Sequence, residues 1–165
     1  MQTGEYVLRL SATDGVFSNS DQATFQIISR PFDAWRATNF SLAELLDESI
    51  SGPAADPDHD GLPNFAEYFY AHLPKLYDAA SPWRVRIINN HLQMVWIQRA
   101  DVPDVSVAAE RADCVEGPWR GGDGLVEQWT APGDAPLTLE VTAQIRLPAV
   151  PARSQFLRMR LGLLE

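Results

Sequence analysis

Between residues 56 and 67 the chain reads Asp56-Pro57-Asp58-His59-Asp60-Gly61-Leu62-Pro63-Asn64-Phe65-Ala66-Glu67, with acids at the first, third, fifth and twelfth positions. Carboxylates at that spacing suit a hard divalent cation. Calcium takes about six to eight oxygens at roughly 2.3–2.6 Å. A loop of this type supplies them from side chains at positions one, three and five, a carbonyl at seven, a group at nine that often acts through water, and a bidentate Glu at twelve. The corresponding groups are Asp56, Asp58, Asp60, the Leu62 carbonyl, Asn64 and Glu67. Gly61 falls at position six, where the chain must turn sharply and glycine does so without steric cost. The full D-x-D-x-D-G-x₅-E pattern is met. Asp, Gly, Pro and Asn favour turns on their own account. Turn preference does not explain four acids at ligand spacing, nor a Glu set in an apolar stretch. Calcium is the expected ion.

Pro63 stands at position eight, where paired EF-hands join their loops by a short backbone bridge. Proline has no N–H to give to such a bridge, and the chain holds no second acidic loop. A sensor that opens a helix pair to expose a groove is therefore not expected; a single loop more often fixes local structure. Over residues 51–73 the segment resembles the calcium loops of dockerins and of thrombospondin type 3 repeats. It is closest in pattern to the D-P-D-x-D-G-L-P-N segments of secreted bacterial surface proteins. Dockerins carry two such loops, so the resemblance is not extended to docking on a cohesin.

Helical signals flank the loop. Ser41 and Glu44 have capping-box spacing, and Phe40 and Leu45 can close a hydrophobic staple around the cap. A short helix is predicted from Leu42 to about Glu48, ended by Ser51-Gly52-Pro53. After the loop, Phe65, Tyr68, Phe69 and Leu73 form one apolar helical face, and Pro74 is expected to stop that helix. Glu67 then lies on its first turn, which links metal binding to helix docking.

On either side of this segment the periodicity changes to two. Tyr6, Leu8, Leu10 and Ala12 alternate with polar neighbours, Asp14-Gly15 signals a turn, and Ala23, Phe25 and Ile27 follow on one face. The stretch from Gly4 to Gly15 is similar to the last strands of polycystic-kidney-disease-type and related immunoglobulin-like domains. That resemblance implies that the earlier strands of such a domain lie outside this chain. From Pro82 onward, strands are expected at 83–87, 92–98, 105–111, 125–130, 137–145 and 156–161, with Asn89-Asn90 as a two-residue hairpin turn. The block also resembles the C-terminal β domain that follows such loops in large secreted bacterial proteins. Val105-Ser106-Val107-Ala108-Ala109-Glu110-Arg111, Trp119 and Phe156-Leu157-Arg158-Met159-Arg160 carry that likeness. The expected fold class is mainly β: an antiparallel β-sandwich with a short helix–calcium loop–helix insert and an N-terminal β-hairpin. The expected divisions are 1–30, the terminal hairpin of an incomplete immunoglobulin-like domain; 31–80, the helical segment with the loop; and 81–165, the sandwich.

A formal net charge of −9 over 165 residues argues against nucleic acid and anionic membrane surfaces as partners. The 45% hydrophobic content is enough for a core, while no apolar run reaches the length of a membrane span. Cys114 is the single cysteine, so no intrachain disulfide forms, and a buried, inert thiol is expected. His59, His72 and His91 fit no zinc template and have no adjacent nucleophile, and no hydrolase, Walker or dinucleotide fingerprint occurs. The five tryptophans, Trp35, Trp83, Trp96, Trp119 and Trp129, leave a sugar-stacking face open as an alternative. Against it, Trp83 and Trp96 can pair across a hairpin in or near the core. The arginines of 84–86 and 158–160 are expected on solvated strand faces, pairing with acids. The expectation is a non-enzymatic, calcium-binding linker region of an extracellular or cell-surface protein. Calcium would stiffen the junction between β domains, with neighbouring domains of a larger chain and a surface protein or glycan as partners. The alternative is a carbohydrate-binding sandwich appended to a secreted hydrolase.

Overall fold

Alternating sequence becomes strand along most of the chain, and the capped segments at Ser41 and Asp47 become short helices. The computed structural model describes residues 4–27, 30–78, 80–122, 124–148 and 154–164. A hairpin of β1 (Gly4–Thr13) and β2 (Ser18–Ile27) precedes four short helices, α1 (Pro31–Asn39), α2 (Leu42–Leu45), α3 (Glu48–Ser51) and α4 (Asn64–Tyr70). Seven strands follow: β3 (Trp83–Ile88), β4 (His91–Arg99), β5 (Val105–Ala112), β6 (Arg120–Gly121), β7 (Glu127–Pro132), β8 (Thr138–Arg146) and β9 (Phe156–Leu163). The protein is mainly β, and the strand pairings are antiparallel. β1 and β2 form a sheet of their own; the others are ordered β3-β4-β8-β7 and β6-β5-β9. All six predicted C-terminal strands are present. β6, only two residues long, carries no periodicity a sequence could show.

Successive side chains on a strand point to opposite faces, so register decides what is buried. Trp83, Trp96, Val141 and Thr130 form one row across the larger sheet, and Val85, Met94, Ala143 and Gln128 form another on the same face. Trp96, Val141 and Ala143 are at most 1% exposed and pack in one cluster with Ala109, Val107, Met159 and Leu161 of the smaller sheet. The two sheets thus enclose a common core. The opposite face of the larger sheet carries a polar row: Arg86 Nε donates to Gln93 Oε1 (2.9 Å), Gln93 Nε2 to Gln144 Oε1 (2.7 Å), and Gln144 Nε2 to Glu127 Oε2 (2.6 Å). A one-residue slip would turn this row toward the common core and Trp96 away from it, so core and ladder fix the same register. On the smaller sheet Arg158 donates to Glu110 and lies 4.1 Å over the Trp119 ring, as the alternating charge predicts for an outer face.

The helical segment differs in detail from expectation. The capping box at Ser41 and Glu44 is present, and Phe40 and Leu45 share a cluster. The predicted helix to Glu48 breaks at Leu46, because the Asp47 side chain accepts from Ser49 N (2.9 Å) and starts a new helix, α3. A side chain able to cap competes with helix continuation. α4 ends before Pro74: Ala71 turns left-handed (φ 62°), and its N–H and that of His72 both donate to the Glu67 carbonyl. α1 was not anticipated; Pro31 starts it and it buries Phe32 and Trp35.

The hairpin stands in contrast. Its pairing from Gly4–Ile27 to Thr13–Ser18 is regular, yet Tyr6, Leu8, Leu10 and Phe25 remain 44–75% exposed. Two strands without a covered face are marginal in water. Amides of β1 and β2 should therefore exchange with solvent far faster than those of β4 and β8, read by hydrogen exchange with NMR or mass spectrometry. Equal protection of the two regions would show that the hairpin has a cover in solution.

Candidate metal centre

The 56–67 loop is closed at its neck by main-chain bonds. Asn64 N donates to the Ala55 carbonyl (2.8 Å) and Phe65 N to the Pro53 carbonyl (3.0 Å). Asn64, wholly buried, adds a brace: its Nδ2 donates to the carbonyls of Ile50 (2.9 Å) and Gly52 (2.8 Å). Inside that neck each aspartate accepts from a main-chain N–H through one oxygen. Asp56 Oδ2 accepts from Gly61 (3.1 Å), Asp58 Oδ1 from Asp60 (3.2 Å), and Asp60 Oδ1 from Leu62 (2.7 Å). Gly61 has φ 94°, which its position in the turn requires of a glycine. The three Asp carboxylates each offer one oxygen, and these lie within 4.8 Å of one another.

Glu67 completes the arrangement from the first turn of α4. It is outside the 4.8 Å triplet, but all three aspartates act on its charge. It is 0% exposed, and neither carboxylate oxygen has a hydrogen-bond partner among the described residues. Asp56 Oδ1, Asp58 Oδ2 and Asn64 Oδ1 are likewise buried and unpartnered. Unpaired buried charge costs several kcal/mol, and native proteins rarely leave such atoms unsatisfied. An oxygen-ligated cation is the chemistry that would satisfy all of these acceptors together. Burial first, then the charges of Asp58, Asp60 and Asp56, pushes the Glu67 carboxyl up from 4.5 to about 8. Burial also raises Asp58.

Two contacts around the loop had no signature in the sequence. Asp60 Oδ2 accepts from Asp78 N (3.3 Å), tying the loop to the segment that leads into β3. Tyr68, next to Glu67, donates its hydroxyl to Asp104 Oδ1 (2.7 Å) in the β4–β5 connection. Both join positions far apart in the chain.

The other candidates are scattered. His59 is exposed at its non-ligand position, His72 lies 3.7 Å from Asp78, and His91 Nδ1 is 2.8 Å from the Asn89 carbonyl. Cys114 is exposed rather than buried, since it sits in the turn after β5 and hydrogen-bonds the Glu116 carboxylate. Trp35 and Trp96 are buried and Trp119 is half-buried under Arg158, which leaves Trp83 and Trp129 at 41% and 45% exposure. Among the described residues no helix is long and apolar enough to cross a membrane. Compared with known proteins, the chain matches no family model, no curated sequence and no solved structure.

The raised Glu67 carboxyl fixes the sign of a pH effect. A group that holds its proton more tightly folded than unfolded contributes stability below its unfolded pKa and loses it as pH rises through the folded one. In protein stripped of divalent cations, the melting temperature should fall between pH 4.5 and about 8. Glu67→Gln, uncharged throughout, should flatten that slope and melt higher than the parent at pH 8. Glu44, held at about 2 by its cap bonds, acts on the acid side of this window and does not confuse it. Identical slopes in the two proteins would mean that Glu67 is solvated.

Proposed function

We propose that this chain is a non-enzymatic, calcium-stabilised joint of an extracellular or cell-surface protein. One calcium ion in the 56–67 loop fixes α4, and α4 fixes the junction between the N-terminal hairpin and helices and the C-terminal sandwich. The observation that carries this reading is Glu67: a fully buried carboxylate with no hydrogen-bond partner on either oxygen among the described residues, pushed up by the charges of three aspartates after burial itself. Asp56, Asp58 and Asp60, the Leu62 carbonyl and Glu67 supply the ligand oxygens, with Asn64 Oδ1 at the ninth position.

The donor set favours calcium over its competitors. Magnesium demands near-ideal octahedral geometry and keeps several waters, whereas calcium accepts a bidentate Glu and about six to eight oxygens. Softer metals prefer imidazole and thiolate, whereas the convergent group is made of carboxylates. The likeness of the loop to those of dockerins, thrombospondin type 3 repeats and bacterial surface proteins supports an extracellular setting, where calcium near the millimolar range saturates even a weak module site. Neighbouring domains of a larger chain are the proposed partners, and the exposed face of Tyr6, Leu8 and Phe25 is a surface for one to cover. A second reading, a glycan-binding sandwich, draws on Trp129, which is 45% exposed and flanks the polar row of Gln144 and Glu127. Binding on a glycan array separates the two.

Calcium should raise the melting temperature, with a gain of about 2.7 kcal/mol at 100 times the dissociation constant. Titration calorimetry should find one site, lost in Glu67→Gln. Asn64→Ala should weaken binding less, yet destabilise the calcium-free protein by about 1–3 kcal/mol, because it removes the brace on Ile50 and Gly52. A melting temperature indifferent to calcium would end this reading.

A further inference from the structure

The buried contacts around α4 extend beyond the loop to a carboxylate in the sandwich. Asp104, 8% exposed, uses both oxygens on helices rather than on its own sheet: Oδ1 accepts from Tyr68 of α4 (2.7 Å) and Oδ2 from the main-chain N–H of Phe32 in α1 (2.9 Å). The Tyr68 ring is wholly buried, 5.4 Å from Phe32 and 5.7 Å from Trp35, with the Arg99 guanidinium 5.3 Å from its centroid. Val102 and Val105, on either side of Asp104, pack against both hydrophobic clusters. The β4–β5 connection is therefore the shared wall of the two cores, and its one buried acid is held by two helices.

Resting on the calcium reading above, we propose that Tyr68 and Asp104 form a latch through which calcium in the loop controls the docking of α1 on the sandwich. Glu67 and Tyr68 are consecutive on a helix of seven residues, so one cannot be repositioned without the other. With calcium bound, Glu67 is drawn to the loop and Tyr68 reaches Asp104. Without it, neither Glu67 oxygen has a partner among the described residues to hold it at the loop, the first turn of α4 shifts, and the Tyr68 hydroxyl leaves Asp104. A buried carboxylate that loses one of two donors is costly, so Asp104 either holds both helices or releases α1. The arrangement is thus two-state rather than graded. Linkage makes the coupling reciprocal: the factor by which calcium favours the latch is the factor by which the latch strengthens calcium binding.

The test is hydrogen exchange on the whole chain with calcium chloride or after removal of divalent cations, alongside calorimetry on the same samples. In the parent protein calcium should slow exchange across residues 31–39 by about fivefold or more, the lower end of ordinary coupling free energies. Tyr68→Phe keeps the ring packing and one calcium site, but should abolish most of that calcium-dependent slowing and raise the calcium dissociation constant by a similar factor. Asp104→Asn should do the same and serves if Tyr68→Phe folds poorly. A purely structural contact would instead change α1 exchange equally with and without calcium. Calcium binding that leaves α1 exchange unchanged in the parent overturns the latch while sparing the calcium reading. An equal response in parent and Tyr68→Phe overturns the route through Tyr68. No calcium binding in the parent removes the calcium reading and the latch with it.

Discussion

The middle of this molecule is arranged around one buried carboxylate that has no hydrogen-bond partner among the described residues. Glu67 sits on a helix whose other faces are committed to apolar packing: Tyr68 joins Phe32, Trp35 and Phe40 in one cluster, while Ala66, Phe69 and Tyr70 join Trp96 and Val141 in the other. α4 is a wedge between two cores. Its six buried residues include one acid, and the packing of its neighbours leaves that acid no path to solvent. Apolar side chains fix where Glu67 must be; the aspartates then decide what it needs.

The magnitudes show why the fold can tolerate this. Burying a large apolar side chain contributes about 1.5–3 kcal/mol, and α4 buries several, so packing outweighs an electrostatic penalty of several kcal/mol. With the carboxyl pushed up to about 8, Glu67 avoids most of the penalty near neutral pH by keeping its proton. A cation at the loop would have to displace that proton. Apolar packing of α4 therefore outweighs the cost of its one buried acid. The loop is already shaped for the exchange, because the neck bonds of Asn64 and Phe65 and the Asx bonds of the three aspartates require no metal.

Local chemistry was readable from the sequence wherever a local interaction decides the structure. The capping box at Ser41 and Glu44 works within one helical turn. Asn89 and Asn90 both take positive φ in the predicted hairpin turn. The inward side of β8 follows the alternation of Leu139, Val141, Ala143 and Ile145. Failures occurred where a competing contact lay at short range but had no periodicity. Asp47 capped a new helix, and Leu137, first in the apolar series, turned out into solvent at φ 58° and 72% exposure. Cys114 was expected inside on composition alone, but the turn after β5 leaves it exposed. The ligand-type residues of the loop could be named because their spacing is itself the signal. Asp104 could not, since nothing in its neighbourhood says that Tyr68 and Phe32 will arrive from more than thirty residues away.

The hairpin acquires its significance from the element that follows it. Two exposed strands contribute little stability of their own, but β2 is followed directly by the segment that becomes α1. α1 is attached on two sides. Its first turn is bound by Asp104 of the sandwich, and its Arg36 donates to Ser51 (2.8 Å) and Glu48 (3.0 Å) of α3, just before the loop begins. α1 is thus bonded both to the sandwich and to the segment that leads into the acidic loop. The direct bond to Asp104 is buried and neutral on the donor side, while Arg36–Glu48 is solvated on the Glu side and correspondingly weak. Of the two attachments, the buried one resists screening by salt, and the aromatic stack of Phe32, Trp35 and Tyr68 reinforces it. The attachment of α1 thus rests less on surface ion pairs than on Asp104, whose other oxygen accepts from Tyr68, the neighbour of Glu67 on α4.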